Sequence, residues 1–176
     1  SSCGALEDLT LALVVEKLEA APHHGALCVA ACGIFEQAVE RAVMLASQAQ
    51  AALELVDVGA LRVVAAALRR HAHSDTVATA ALPVLAALCR WQPQAALLLT
   101  GYHAIAPVID VLRRGLARSK VRVVLAACDL LHAIATSQAM IPPTALAAMP
   151  LDAEEAAPLL LRAAASGGAT TDALDP

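Results

Sequence analysis

The sequence predicts an all-α chain of stacked helical repeats, and three observations carry that prediction. Alanine makes up about a quarter of the 176 residues, while Phe, Trp and Tyr occur once each. Alanine is the strongest helix former and a sheet core draws on aromatic and β-branched side chains, so this composition suits helices packed through small residues. Apolar residues recur at i, i+3, i+4 and i+7, as in Leu61, Val64, Ala65 and Leu68 and again in Ile105, Val108, Ile109 and Leu112. The segment Gln50–Arg70, QAALELVDVGALRVVAAALRR, returns 44 residues later as Gln94–Arg114, QAALLLTGYHAIAPVIDVLRR. That offset falls within the roughly 40–47 residues of known α-helical repeat units.

Each copy reads as a short helix, a middle helix and a longer third helix. Upstream, Leu9–Ala20 has the pattern of a middle helix and Ala26–Ala46 that of a third. After Arg70 the loop HAHSD offers Ser74 or Asp75 as an N-cap, whose side-chain oxygen accepts from an orphan helix N–H. Val77, Ala81, Leu85 and Leu88 follow as a third-helix stripe, interrupted by Pro83, which predicts a kink. After Arg114, Gly115 is read as a left-handed C-cap and Ser119 as the next N-cap. Val121, Val124, Cys128, Leu131 and Ala135 then form the second third-helix stripe. Residues 143–166 open a further, partial unit, with Asp152 and Glu155 spaced as a capping box and Ala157-Pro158 before three leucines. Residues 167–176, small and polar, are read as a disordered tail.

The units resemble armadillo repeats, with HEAT repeats as the near neighbour. Gly59, Ala60, Leu61 and Leu68, then Ala80, Ala81, Leu82, Leu85 and Leu88, sit where the armadillo pattern places them. In the second copy Ala104, Ile105, Val111, Leu112, Ala126, Ala127, Leu131 and Ile134 match, and Pro107 falls one place later than the family's first-turn proline. The resemblance implies a right-handed α-α superhelix of about three repeats (7–49, 50–92 and 93–138) plus the partial one, together spanning 1–166.

It also implies a function: a non-enzymatic scaffold or adaptor that binds proteins along the groove formed by its third helices. Importin-alpha-type receptors grip peptides there with a Trp and an Asn four residues apart. Here the Asn column holds Gln37, Ala87 and Ala133 and the Trp column Gly33, Pro83 and Asp129, which argues against that specialisation. The polar residues left on the face are Gln37, Glu40, Arg90, Arg122, Asp129 and Thr136, the candidate protein-binding set. Arg90 and Arg122 are its expected anchors, because a guanidinium makes planar, two-pronged contacts with carboxylates. The family-level expectation for cellular place is the cytoplasm, within a cytoskeletal or axonemal assembly. The alternative is the substrate-recruiting array of a larger enzyme, such as a U-box ubiquitin ligase.

Composition and motifs narrow the rest. A net charge of −4 argues against a nucleic-acid partner, which needs a concentrated basic face. The uncharged stretches Trp91–Ile109 and Leu130–Leu151 are long enough to span a bilayer, but prolines and polar residues interrupt both, so no membrane insertion is expected. The chain opens on Ser1 without a basic-then-apolar leader, which reads as a piece of a longer or processed product. Five cysteines without a CxxC pair point to a reducing compartment and to thiols acting as small hydrophobes. His24, Cys28 and Cys32 lie at i, i+4 and i+8, strung over roughly 12 Å, too far for one zinc to take all three, so no metal is expected. His71 and His73 are assigned to an exposed loop, and Arg69-Arg70 and Arg113-Arg114 to solvated helix ends. No nucleophile elbow, phosphate loop or dinucleotide fingerprint is present, so no catalytic residue, cofactor or small-molecule substrate is expected.

Overall fold

A computed structural model of the chain describes the backbone of residues 2–44 and 47–139, with side chains over 10–43 and 47–137. The partial unit at 143–166 and the tail at 167–176 lie outside the described residues. Those described are all-helical, without a strand: α1 (Ser2–Ala20), α2 (Gly25–Met44), α3 (Gln48–Asp57), α4 (Ala60–Arg70), α5 (Asp75–Trp91), α6 (Pro93–Gly101), α7 (Ile105–Ala117) and α8 (Val121–Ala139). Short, middle and long helices alternate in α3–α4–α5 and again in α6–α7–α8, as the repeat predicts.

The turns that join short to middle helix share two backbone hydrogen bonds across the 44-residue offset. Val58 and Gly59 N–H donate to the carbonyls of Glu54 and Val56, and Tyr102 and His103 N–H donate to those of Leu98 and Thr100. Gly59 and His103 hold the same place and both adopt left-handed backbone, at φ 86° and 53°. Glycine enters that region freely, whereas a side chain costs about 1–2 kcal/mol there. The two positions should therefore respond with opposite signs. In chemical denaturation, Gly59→Ala is expected to lose about 1–2 kcal/mol, and His103→Gly to gain about 0.5–1 kcal/mol. Equal responses at the two sites would show that the turns are not equivalent.

Of the local expectations, the cap at Ser74 holds, while the readings of Gly115 and Ser119 change. Ser74 is the N-cap of α5, its hydroxyl accepting from Val77 N–H at 3.3 Å. The helix runs on from there through Pro83 to Trp91 as one element. Gly115 is not a C-cap: α7 continues through it to Ala117, and the left-handed residue is Ser119, at φ 54°. Ser119 therefore does not cap α8, which begins two residues later at Val121. Gly115 serves a different purpose, since a Cβ built on it would lie 2.9 Å from Val124 Cγ2. The missing side chain is what lets α7 approach α8.

The long helices form the spine. α5 packs most extensively on α8 and next on α2, while α4 and α7 pack against the long helix of their own triplet. Leu82, Leu85, Leu88 and Cys89 of α5 are fully buried, as are Phe35 of α2, Leu55 of α3, Leu99 of α6, Leu112 of α7 and Leu130 of α8. One polar side chain joins this core: Ser137 of α8 donates its hydroxyl to the Cys89 carbonyl at 2.6 Å. The usual helical donor to Cys89 would be the N–H of residue 93, which is proline and has none, so Ser137 satisfies an acceptor that α5 and α6 leave open.

No single described helix is long and apolar enough to cross a membrane. α6 and α7 reach that length together, but they turn by 91° at their junction.

Candidate functional site

The six polar residues singled out by the sequence all lie exposed on the long helices: Gln37 and Glu40 on α2, Arg90 on α5, and Arg122, Asp129 and Thr136 on α8. Because α2, α5 and α8 pack side by side, the residues occupy neighbouring helices. Arg122, Asp129 and Thr136 repeat at i, i+7 and i+14 and so share one face of α8.

The structure refines the role of three of them. Arg90 Nη2 donates to both carboxylate oxygens of Asp129, at 2.9 and 3.1 Å. This ties α5 to α8 across 39 residues of sequence, with both side chains about half exposed. A pair so open to water is worth about 0–1 kcal/mol. Arg90 is therefore engaged within the chain and is not the unengaged anchor that the sequence suggests. Thr136 turns its hydroxyl back onto its own helix, donating to the carbonyls of His132 and Ala133 at 2.9 and 3.1 Å. Gln37, Glu40 and Arg122 remain the outward-facing polar members.

Between them the face is smooth. Nothing lies within 4 Å of a Cβ built on Gly33, and Pro83 and Ala87 are only half buried. Ala133, by contrast, is buried, while Asp129 and Thr136 of the same helix are exposed.

Two depressions were not legible in the sequence. A shallow one of about 650 Å³ runs between the N-terminal ends of α5 and α8, lined by Val29, Thr76, Thr79, Ala80, Val121 and Arg122 among others. A second, of about 340 Å³, lies where α1, α2 and α3 meet and includes Gln37, Arg41, Gln50 and Glu54 in its wall. Both require knowing which helix ends meet, and residue spacing within one helix does not reveal that.

The histidines and arginines held in reserve take structural parts. His24 sits at the start of α2, its Nδ1 accepting from Leu27 N–H at 3.3 Å, as an N-cap does. His71 is half buried rather than fully exposed, and its Nε2 donates to the Pro22 carbonyl at 3.2 Å. Arg69 is not merely solvated: its Nη1 donates to the Tyr102 carbonyl at 2.8 Å, fastening α4 to the turn before α7. Arg114 is half buried, with Nη1 sealed from solvent. Arg62 pairs with Glu19, joining α4 to α1.

Burial pushes the thiols of Cys28 and Cys128 up from their ordinary range, and those of Cys32 and Cys89 up to about 12. At Cys32 the neighbouring Cys28 and Glu36 add to the effect. A thiol held protonated is a poor nucleophile and a poor ligand. Among the described residues, no three of His, Cys, Asp and Glu gather where they could hold a metal ion.

No family model, no curated protein and no solved structure matches the chain.

Proposed function

We propose that the chain is a non-enzymatic protein-binding module of armadillo-like units stacked into a right-handed α-solenoid, and that it binds a partner along the face shared by α2, α5 and α8. The side-by-side packing of those three helices in chain order supports this reading most strongly. It sets Gln37, Glu40, Arg90, Arg122, Asp129 and Thr136 on adjacent ridges around a floor of Gly33, Pro83 and Ala87. The two hydrogen bonds and the left-handed residue shared by the turns at Gly59 and His103 add to it, because similar joints repeated along a chain generate a regular stack. The setting in this reading is a larger cytoplasmic assembly. A floor of small residues edged by polar side chains admits an extended or helical protein segment.

The test is comparative affinity purification of the full chain and of its Glu40→Arg/Arg122→Glu variant, with circular dichroism to establish that the helices are retained. Reversing two charges on the recognition face should lower recovery of direct partners by about tenfold or more, the scale at which interface hot spots act. An unchanged set of partners in unchanged amounts would remove the face from consideration.

A further inference from the structure

α5 and α8 occupy successive places in the stack, yet one side of α8 is left open where α5 is closed. With α8 laid over α5 at an offset of 46, one face is buried in both helices: Val77 with Val123, Ala81 with Ala127, Val84 with Leu130, Leu85 with Leu131, and Leu88 with Ile134. The other face is buried only in α5. Ala78, Leu82, Ala86 and Cys89 are at most 1% exposed. Their counterparts Val124 and Cys128 are only partly buried, and His132 and Ala135 are exposed. Val121 and Leu125 border the same open side with 66% and 61% of their surfaces in solvent. These α8 positions follow i, i+3, i+4, i+7, i+11 and i+14, the stripe one further helix covers. α8 itself supplies that cover to α5.

Charge describes what belongs there. From Val111 to Cys128 every charged residue is basic, and Arg118, Lys120 and Arg122 are exposed around the start of α8. A helix laid parallel to α8 brings its first turn to this basic end, where acidic residues are favoured twice, by the arginines and by the helix's own dipole. The chain carries such a segment. Asp152, Glu154 and Glu155 open it, and Ala156, Ala157, Leu159, Leu160, Leu161 and the alanines at 163–165 follow. Pro158 is no bar, since α5 holds Pro83 in its interior.

The tether also fits. α8 has 19 residues and is about 28 Å long, the distance the chain must retrace to start a parallel helix. The 12 residues 140–151 include Pro142, Pro143 and Pro150. At about 3.1 Å per residue in extended proline-rich form they reach about 37 Å.

We propose that the open side of α8 is the docking face for the chain's own segment Asp152–Ala165, taken up as a helix parallel to α8 with its acidic first turn against Arg118 and Lys120. The inference rests on the stacking of α5 and α8, and stands or falls separately from partner binding on the neighbouring face.

Hydrogen exchange on the full chain tests it, comparing wild type, Val121→Asp/Leu125→Asp and Glu154→Lys/Glu155→Lys. In wild type the amides of 152–165 are expected to exchange at least about tenfold more slowly than in a free peptide of that sequence. Both variants should abolish this protection and leave α4 and α5 unchanged. Exchange of 152–165 at the free-peptide rate in wild type would overturn the proposal, as would protection that survives both substitutions. Protection that disappears on dilution would overturn it too, by assigning the contact to a second copy of the chain.

Discussion

Truncation of Leu85 to alanine is expected to lower the unfolding free energy by about 2–5 kcal/mol, read from urea or thermal denaturation followed by circular dichroism. Leu85 is fully buried midway along α5, the helix that packs on both α2 and α8. The size of the effect follows from the neighbours. This core is built largely from alanine, valine and leucine on helices already in close approach, so little can move to fill the space left behind. Part of the cost is the lost transfer of the isobutyl group out of water, and the rest is the cavity. Leu13→Ala is the internal comparison. That side chain is 52% exposed, and its truncation should change stability by no more than about 0.5 kcal/mol. If the two substitutions cost the same, α5 is not the centre of the packing.

The second large effect is expected at Gly115. Its virtual Cβ meets Val124 Cγ2 at 2.9 Å and Val123 Cγ1 at 3.5 Å. A β-branched valine in a helix has essentially one χ1 rotamer, so it cannot swing aside. Gly115→Leu should therefore cost about 3 kcal/mol or more by forcing α7 away from α8. Gly115→Ala is the finer test, because two opposed contributions meet there. Alanine improves helix propensity by about 1 kcal/mol, and crowding against Val124 removes about 1–3 kcal/mol. In a Val124→Ala background the crowding is relieved, and the same Gly115→Ala change should become stabilising by about 1 kcal/mol. That reversal, measured as a double-mutant cycle, separates close approach from any other role of the glycine. A Gly115→Ala effect identical in the two backgrounds would contradict it.

What could be read from the sequence was whatever depends on neighbours along the chain. The 44-residue repeat, the amphipathic stripes and the Ser74 cap follow from local spacing, and the helices appear where those signals place them. What could not be read depends on partners far apart in sequence. Gly115 near a helix end looks like a terminator to any local rule, and only the presence of Val124 at its side gives it the opposite role, as a residue that must stay small within the helix. His103 gives no local hint of a left-handed backbone; laying it over Gly59 would have supplied one. Of the candidate face, the exposed positions were legible because helix period fixes them. The engagement of Arg90 with Asp129 was not, since it depends on the register between two helices.

The contact between Ser137 and the Cys89 carbonyl bears on how the molecule comes apart. Proline at position 93 ends one helix and starts the next at the cost of an amide hydrogen, and the replacement donor arrives from a residue 48 places downstream. Peeling α8 away thus forfeits that bond, about 0.5–1.5 kcal/mol, on top of the exposed hydrophobic area. The two triplets are fastened at their seam by this bond and by the α5–α8 packing, and they are expected to unfold together where a row of independent modules would fray from its end.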